Sequence, residues 1–137
     1  MSQNRLFLDT AFIQALLNPR DDNHIKAKTL LPQVRIASEV WLTEAILVEV
    51  GNALSVFNRQ GAVKFIRQCR STQNMKVVSV NTDLLMRALN LYQSRSDKSW
   101  GLTDCISFIV MKDNRLLYAL TTDRHFVQAG FRALMLS

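Results

Sequence analysis

Four short apolar runs limit what this chain can fold into: residues 6 to 8 (LFL), 40 to 42 (VWL), 77 to 80 (VVSV) and 116 to 120 (LLYAL). Each has strand length, and none shows the strict polar alternation of a sheet with one wet face. Between them lie stretches whose apolar residues recur at helical spacing. Strands alternating with helices build βαβ units, so the chain is expected to form an α/β fold on a mostly parallel sheet covered on both faces.

Punctuation in the sequence predicts the helices. A helix over 10–18 stops at Pro19, and a second over 22–31 stops before Pro32. Thr43 caps a long helix carrying Ile46, Leu47, Val50, Ala53, Leu54 and Phe57 along one stripe. Gly61 opens a helix over 62–70, Asn81 or Thr82 caps one running to about residue 93, and Thr103 caps an almost wholly apolar one. A helix without a polar face belongs between layers. A short helix over 124–129 and an edge strand over 131–136 complete the reading. The 137 residues suit one domain across 1–137.

Composition excludes several classes. With 48% hydrophobic and 20% charged residues the chain is neither disordered nor of low complexity. No segment approaches the ~20 apolar residues of a membrane span, and MSQNRLFLDTAF lacks the apolar stretch of a secretory leader. Cys69 and Cys105 show no framework or zinc spacing, so buried, reduced thiols in a cytoplasmic protein are expected. The net charge of +6 suits a polyanionic partner.

Against that basic background the acids are few, and their placement is informative. Two of the apolar runs finish close to an aspartate, Asp9 and Asp123. In parallel sheets, ligands bind outside the carboxyl ends of the strands, where both would lie. Glu49 borders the apolar stripe of the long helix, and Asp104 stands at the start of the buried one. Taken singly, each has an ordinary explanation: a helix cap for Asp9, a dipole contact for Asp104, a turn for Asp123, a basic partner for Glu49. Taken together, Asp9, Glu49, Asp104 and Asp123 fall where one fold would make them converge. Converging carboxylates repel, and a divalent cation resolves the repulsion. Mg²⁺ takes carboxylate and phosphate oxygens, and a carboxylate-bound metal activates water against a phosphodiester.

The segments FLDTAF, EVGNAL, WGLTDCISF and TTDRHF, in this order and approximate spacing, resemble the PIN-domain nucleases, in particular the VapC-like toxins. The resemblance spans nearly the whole chain. It implies a three-layer α/β/α sandwich and a Mg²⁺- or Mn²⁺-dependent endoribonuclease, with Asp9 and Asp104 as the leading metal ligands and Glu49 and Asp123 binding metal directly or through water. It also implies an RNA substrate, a homodimer, and an antitoxin protein as partner if the chain is a toxin.

Residues beside the acids complete the expected site. Thr10, Asn52, Thr103, Thr122 and Asp97 are candidates to orient carboxylates or bound water. Arg95, Lys98 and Arg124 adjoin the acidic motifs and suit phosphate contacts. Lys64, Arg67 and Arg70 share a helix face that reads as solvated. Trp100 suits either base stacking or burial, and His125 is assigned to packing or a turn bond. Haloacid-dehalogenase phosphatases need a second aspartate where Ala11 stands, phosphoreceiver domains need an acidic pair that is absent, and no glycine-rich nucleotide motif occurs. The alternative of another class is a non-catalytic RNA- or protein-binding domain on the same fold, with a DNA-directed nuclease subordinate.

Overall fold

The computed structural model describes residues 4–136. Its sheet has five strands, β1 (Arg5–Leu8), β2 (Glu39–Thr43), β3 (Met75–Val78), β4 (Tyr118–Leu120) and β5 (Arg132–Ala133), in the order β3-β2-β1-β4-β5. Every pairing is parallel. Helices α1 (Thr10–Leu17), α2 (His24–Ile36), α3 (Glu44–Ala53), α4 (Arg59–Ser71), α5 (Thr82–Ser94), α6 (Leu102–Asp113) and α7 (Arg124–Gln128) flank it. Beyond the Arg5–Glu39 pair at their starts, the central strands are largely apolar because both faces are covered: Leu6, Phe7, Leu8, Val40 and Leu42 are all buried. The apolar helix α6 buries Cys105, Ile106, Phe108, Val110 and Met111, as its lack of a polar face predicts.

Side-chain caps set the starts of α3, α4, α5 and α7. Thr43 Oγ1 accepts the Ile46 N–H at 3.3 Å and starts α3, and Asn81 does the same for α5 through Leu84. The chain departs from the sequence expectations at several places, β4 among them, which starts at Tyr118 rather than Leu116. Helix α2 runs through Pro32 to Ile36. Pro32 is exposed, so water can take the Lys28 carbonyl that loses its bond, and Val34 packs on the core beyond it. Helix α3 stops at Ala53, leaving Phe57 exposed instead of on the apolar stripe. The cause is Asn58, whose carboxamide accepts the Gly61 N–H and donates to the Leu17 carbonyl, so the chain must turn before it. Gly61 therefore lies inside α4.

Strand β3 begins earlier than 77 and ends at Val78, because the Val80 N–H is taken by Glu44 Oε1 rather than by a strand. Gly101, not Thr103, caps α6: the Asp104 carboxylate reaches back one turn to the Gly101 N–H at 3.1 Å. The expected edge strand shrinks to Arg132–Ala133.

Candidate metal centre

Strand order creates the site. From β1 the chain builds outward through β2 and β3, then returns to lay β4 on the other side of β1. The reversal opens a crevice at the carboxyl ends of β1 and β4. Register pairs Leu8 with Leu120, so Asp9 and Thr121 are the next residues out. The Asp9 N–H donates to the Leu120 carbonyl at 3.2 Å, and Thr121 Oγ1 donates to Asp9 Oδ2 at 2.7 Å. The same hydroxyl oxygen accepts the Asp123 N–H at 2.9 Å. One fully buried threonine thus ties together the two aspartates at the strand ends. Asp9 occupies the N-cap position of α1, yet its side chain makes no cap bond. The capping explanation for this residue is set aside.

The other two carboxylates arrive on helices. Thr10, buried at the start of α1, donates to Glu49 Oε1 at 2.7 Å and links α1 to α3. Asp104 Oδ2 accepts the Gly101 N–H and, at 2.9 Å, His125 Nδ1. Asp123 caps α7 by accepting the His125 N–H at 2.9 Å, so here cap and cluster are one residue. All four acids line one open groove of about 740 Å³, together with Thr10, Gln14, Asn52 and Thr122.

This arrangement carries an electrostatic cost. Burial pushes the Asp9 carboxyl up to about 6, against the bonds from Thr121 and the Thr10 backbone N–H, and the charges of Asp104 and Asp123 raise it further. Asp104 is also raised, chiefly by burial, although Gly101 and His125 pull the other way. Repulsion persists because the donors are one-sided. Glu49 bonds through Oε1, Asp104 through Oδ2 and Asp123 through Oδ1. Among the described residues no donor serves the opposite oxygen of these three, and Asp9 has only Thr121 and the adjacent Thr10 N–H. Oxygens left without donors around an open, electronegative groove fit a hard divalent cation, which takes carboxylate oxygens and keeps part of its water. Asp104, Asp123 and His125 offer atoms within 4.8 Å of one another.

The remaining sequence candidates separate. Asn52, one turn after Glu49, lines the groove and is exposed, and Thr122 lines it too. Thr103 is half-buried in the first turn of α6 and is not among the groove's lining residues. Asp97 forms a two-point ion pair with Arg95 at 2.9 and 3.1 Å, and Arg95 stacks over Trp100. Arg95 and Trp100 line a different cleft with Phe108 and Gln128. Neither Asp97 nor Arg95 therefore lies on the acidic groove. Lys98 is half-buried in the same loop, and Arg124 is exposed beside Asp123.

Trp100 is buried, its indole N–H donating to Gln128 Oε1 at 2.9 Å, which removes it as a stacking platform. Sequence reasoning missed Thr121 and undervalued His125, which touches two of the acids instead of merely packing. The alignment of Thr121 with Asp9 was the available signal, but it requires the β1–β4 register.

Comparisons with known proteins bear on the family and the fold. A family model described as the PIN domain matches residues 6–132. Among solved structures, the chain is similar to Mycobacterium tuberculosis VapC20, a Sarcin-Ricin loop cleaving toxin. The TM-score is 0.82 at 26% identity, covering 93% of this chain and 96% of that one. Among curated proteins no sequence matches.

Proposed function

Because the chain belongs to the PIN domain family, we propose that it is a metal-dependent endoribonuclease that hydrolyses RNA phosphodiester bonds in the carboxylate groove. The observation that carries this reading is the one-sided bonding of the four acids. Asp9 and Asp104, with Glu49 and Asp123, would hold Mg²⁺ or Mn²⁺, which supplies an activated water and stabilises the developing oxyanions.

The chain's own contribution is positioning. Thr121 sets Asp9 and the backbone of Asp123, Thr10 sets Glu49, and Gly101 sets Asp104. Asn52 and Gln14 line the groove with amides able to meet phosphate or ribose. The net charge of +6 favours approach of a polyanion to a groove that would otherwise repel it. RNA as substrate follows from the family resemblance and from the described activity of the similar VapC20 toxin. From the family resemblance alone, we further propose a toxin that acts in the cytoplasm as a homodimer and is silenced by an antitoxin. Among the described residues no helix is long and apolar enough to cross a membrane.

The test is cleavage of end-labelled RNAs of mixed sequence and structure, with Mg²⁺, Mn²⁺ or EDTA, by the unsubstituted chain and by Asp104→Asn and Glu49→Gln. Metal-dependent products that disappear in both variants are expected. RNA that is bound but left intact with either metal, across several folded substrates, would replace the nuclease with a binding domain.

A further inference from the structure

Hydrolysis by carboxylate-bound metal requires no histidine, yet His125 is fixed from both sides. Its Nδ1 stands 2.9 Å from Asp104 Oδ2 and 3.3 Å from Asp123 Oδ1, and its Nε2 stands 3.1 Å from Ser99 Oγ. An ionised carboxylate only accepts, so in the neutral ring Nδ1–H donates to Asp104 Oδ2, with Asp123 Oδ1 a near charge contact, and Nε2 of that tautomer accepts the Ser99 hydroxyl proton. The two carboxylate oxygens it touches are already occupied. Asp104 Oδ2 takes the Gly101 N–H as well, and Asp123 Oδ1 takes the backbone N–H of His125 itself.

Two donors on one oxygen have a geometric consequence. The terminal torsion of an aspartate is broad and roughly two-fold, so a single donor leaves the carboxylate room to rock. A second donor from a different direction restricts that motion and turns the opposite oxygen outward. For Asp104 that second donor is the imidazole of His125, whose backbone N–H donates to Asp123 Oδ1, so this one residue holds the two carboxylates relative to each other. We propose that His125 is a positioning residue for the metal-binding carboxylates, acting through Asp104 and Asp123 with its ring oriented by Ser99, and is neither ligand nor general base. The proposal rests on the metal-dependent reading above.

Calorimetric titration of the EDTA-stripped, full-length protein with Mg²⁺ and with Mn²⁺ tests it without reference to catalysis. His125→Ala is expected to weaken metal binding about 10- to 100-fold, the range seen when partners that orient ligands are removed. The asparagine amide nitrogen stands where the imidazole Nδ1 does, two bonds from Cβ, so His125→Asn recovers most of the loss. His125→Gln carries its amide one carbon further, toward Ser99, and behaves like alanine. His24→Gln changes nothing at the metal, since that ring bonds the Ala15 carbonyl instead.

Thermal unfolding in EDTA accompanies each titration, and if His125→Ala fails to fold, the asparagine–glutamine contrast decides. Unchanged affinity in His125→Ala would overturn the inference and leave the nuclease reading intact. Asparagine as weak as alanine would overturn it in favour of a ring nitrogen acting as ligand. An unsubstituted protein that binds neither metal would overturn both.

Discussion

Replacing the most deeply buried acid with its neutral isostere should stabilise the metal-free protein. Asp9 is 7% exposed, and its carboxyl is raised from 3.8 to about 6 in the folded chain. At 1.36 kcal/mol for each tenfold change in proton affinity, the folded state carries the ionised form at a cost of roughly 3 kcal/mol at neutral pH. Asp9→Asn removes the charge while keeping an oxygen to accept from Thr121, though less strongly than a carboxylate does. A net gain of about 2 kcal/mol is expected, which for a domain of this size is roughly 6–10 °C in melting temperature.

The sign in pH follows from the raised value. Between 3.8 and about 6 the folded chain binds more protons at this site than the unfolded chain, so the unsubstituted protein loses stability as pH rises through that window. Its disadvantage against Asp9→Asn is full above pH 7 and narrows as pH falls toward 4. Urea unfolding in EDTA at fixed protein concentration, at several pH values, measures the difference. Added Mg²⁺ should reverse the ranking, because only the ionised cluster gains from it. A variant no more stable than the unsubstituted protein in EDTA at pH 7.5 would refute the argument that burial and mutual repulsion strain this site.

Three further outcomes follow. At Gly61 an added Cβ would stand 2.4 Å from Asn58 Nδ2, so Gly61→Ala should expel the Asn58 side chain and cost about 1–2 kcal/mol. The Gly61→Ala/Asn58→Ala double variant should then be little worse than either alone by urea unfolding. Among the described residues Ser107 Oγ is buried without a hydrogen-bond partner, so Ser107→Ala should be neutral or stabilising by up to ~1 kcal/mol, and a clear loss in melting temperature would reveal a partner for that hydroxyl. Burial pushes the Cys69 thiol up to about 12, and burial with the nearby Asp104 charge raises Cys105; mass spectrometry should find neither alkylated by iodoacetamide at pH 8 until urea is added.

Much of the fold is legible in the chain because its signals are local. Apolar runs such as residues 6 to 8 mark strands buried on both faces, Thr43 and Asn81 mark helix starts, and the apolar helix α6 requires cover on every side. The misplaced boundaries have non-local causes. Residues 54–57 carry a helical pattern, yet α3 ends before them because Asn58 reaches back 41 residues to the Leu17 carbonyl. Strand β3 ends early because Glu44 captures the Val80 N–H from another element. A periodic pattern registers which residues prefer burial, but not which distant carbonyl or carboxylate will claim a backbone group.

The same division runs through the site. The sequence alone determined that four carboxylates stand at positions an α/β fold brings to one edge, since strand ends and helix starts follow from apolar runs and caps. Only the tertiary structure decided how those carboxylates are held. Thr121 meets Asp9 across 112 residues because β1 and β4 pair in one particular register, and His125 meets Asp104 because α6 and α7 begin at the same crevice. A hydrogen bond needs its partners placed to within a few tenths of an ångström. Local propensity fixes elements only to within a residue or two, and the packing of the whole sheet supplies the rest.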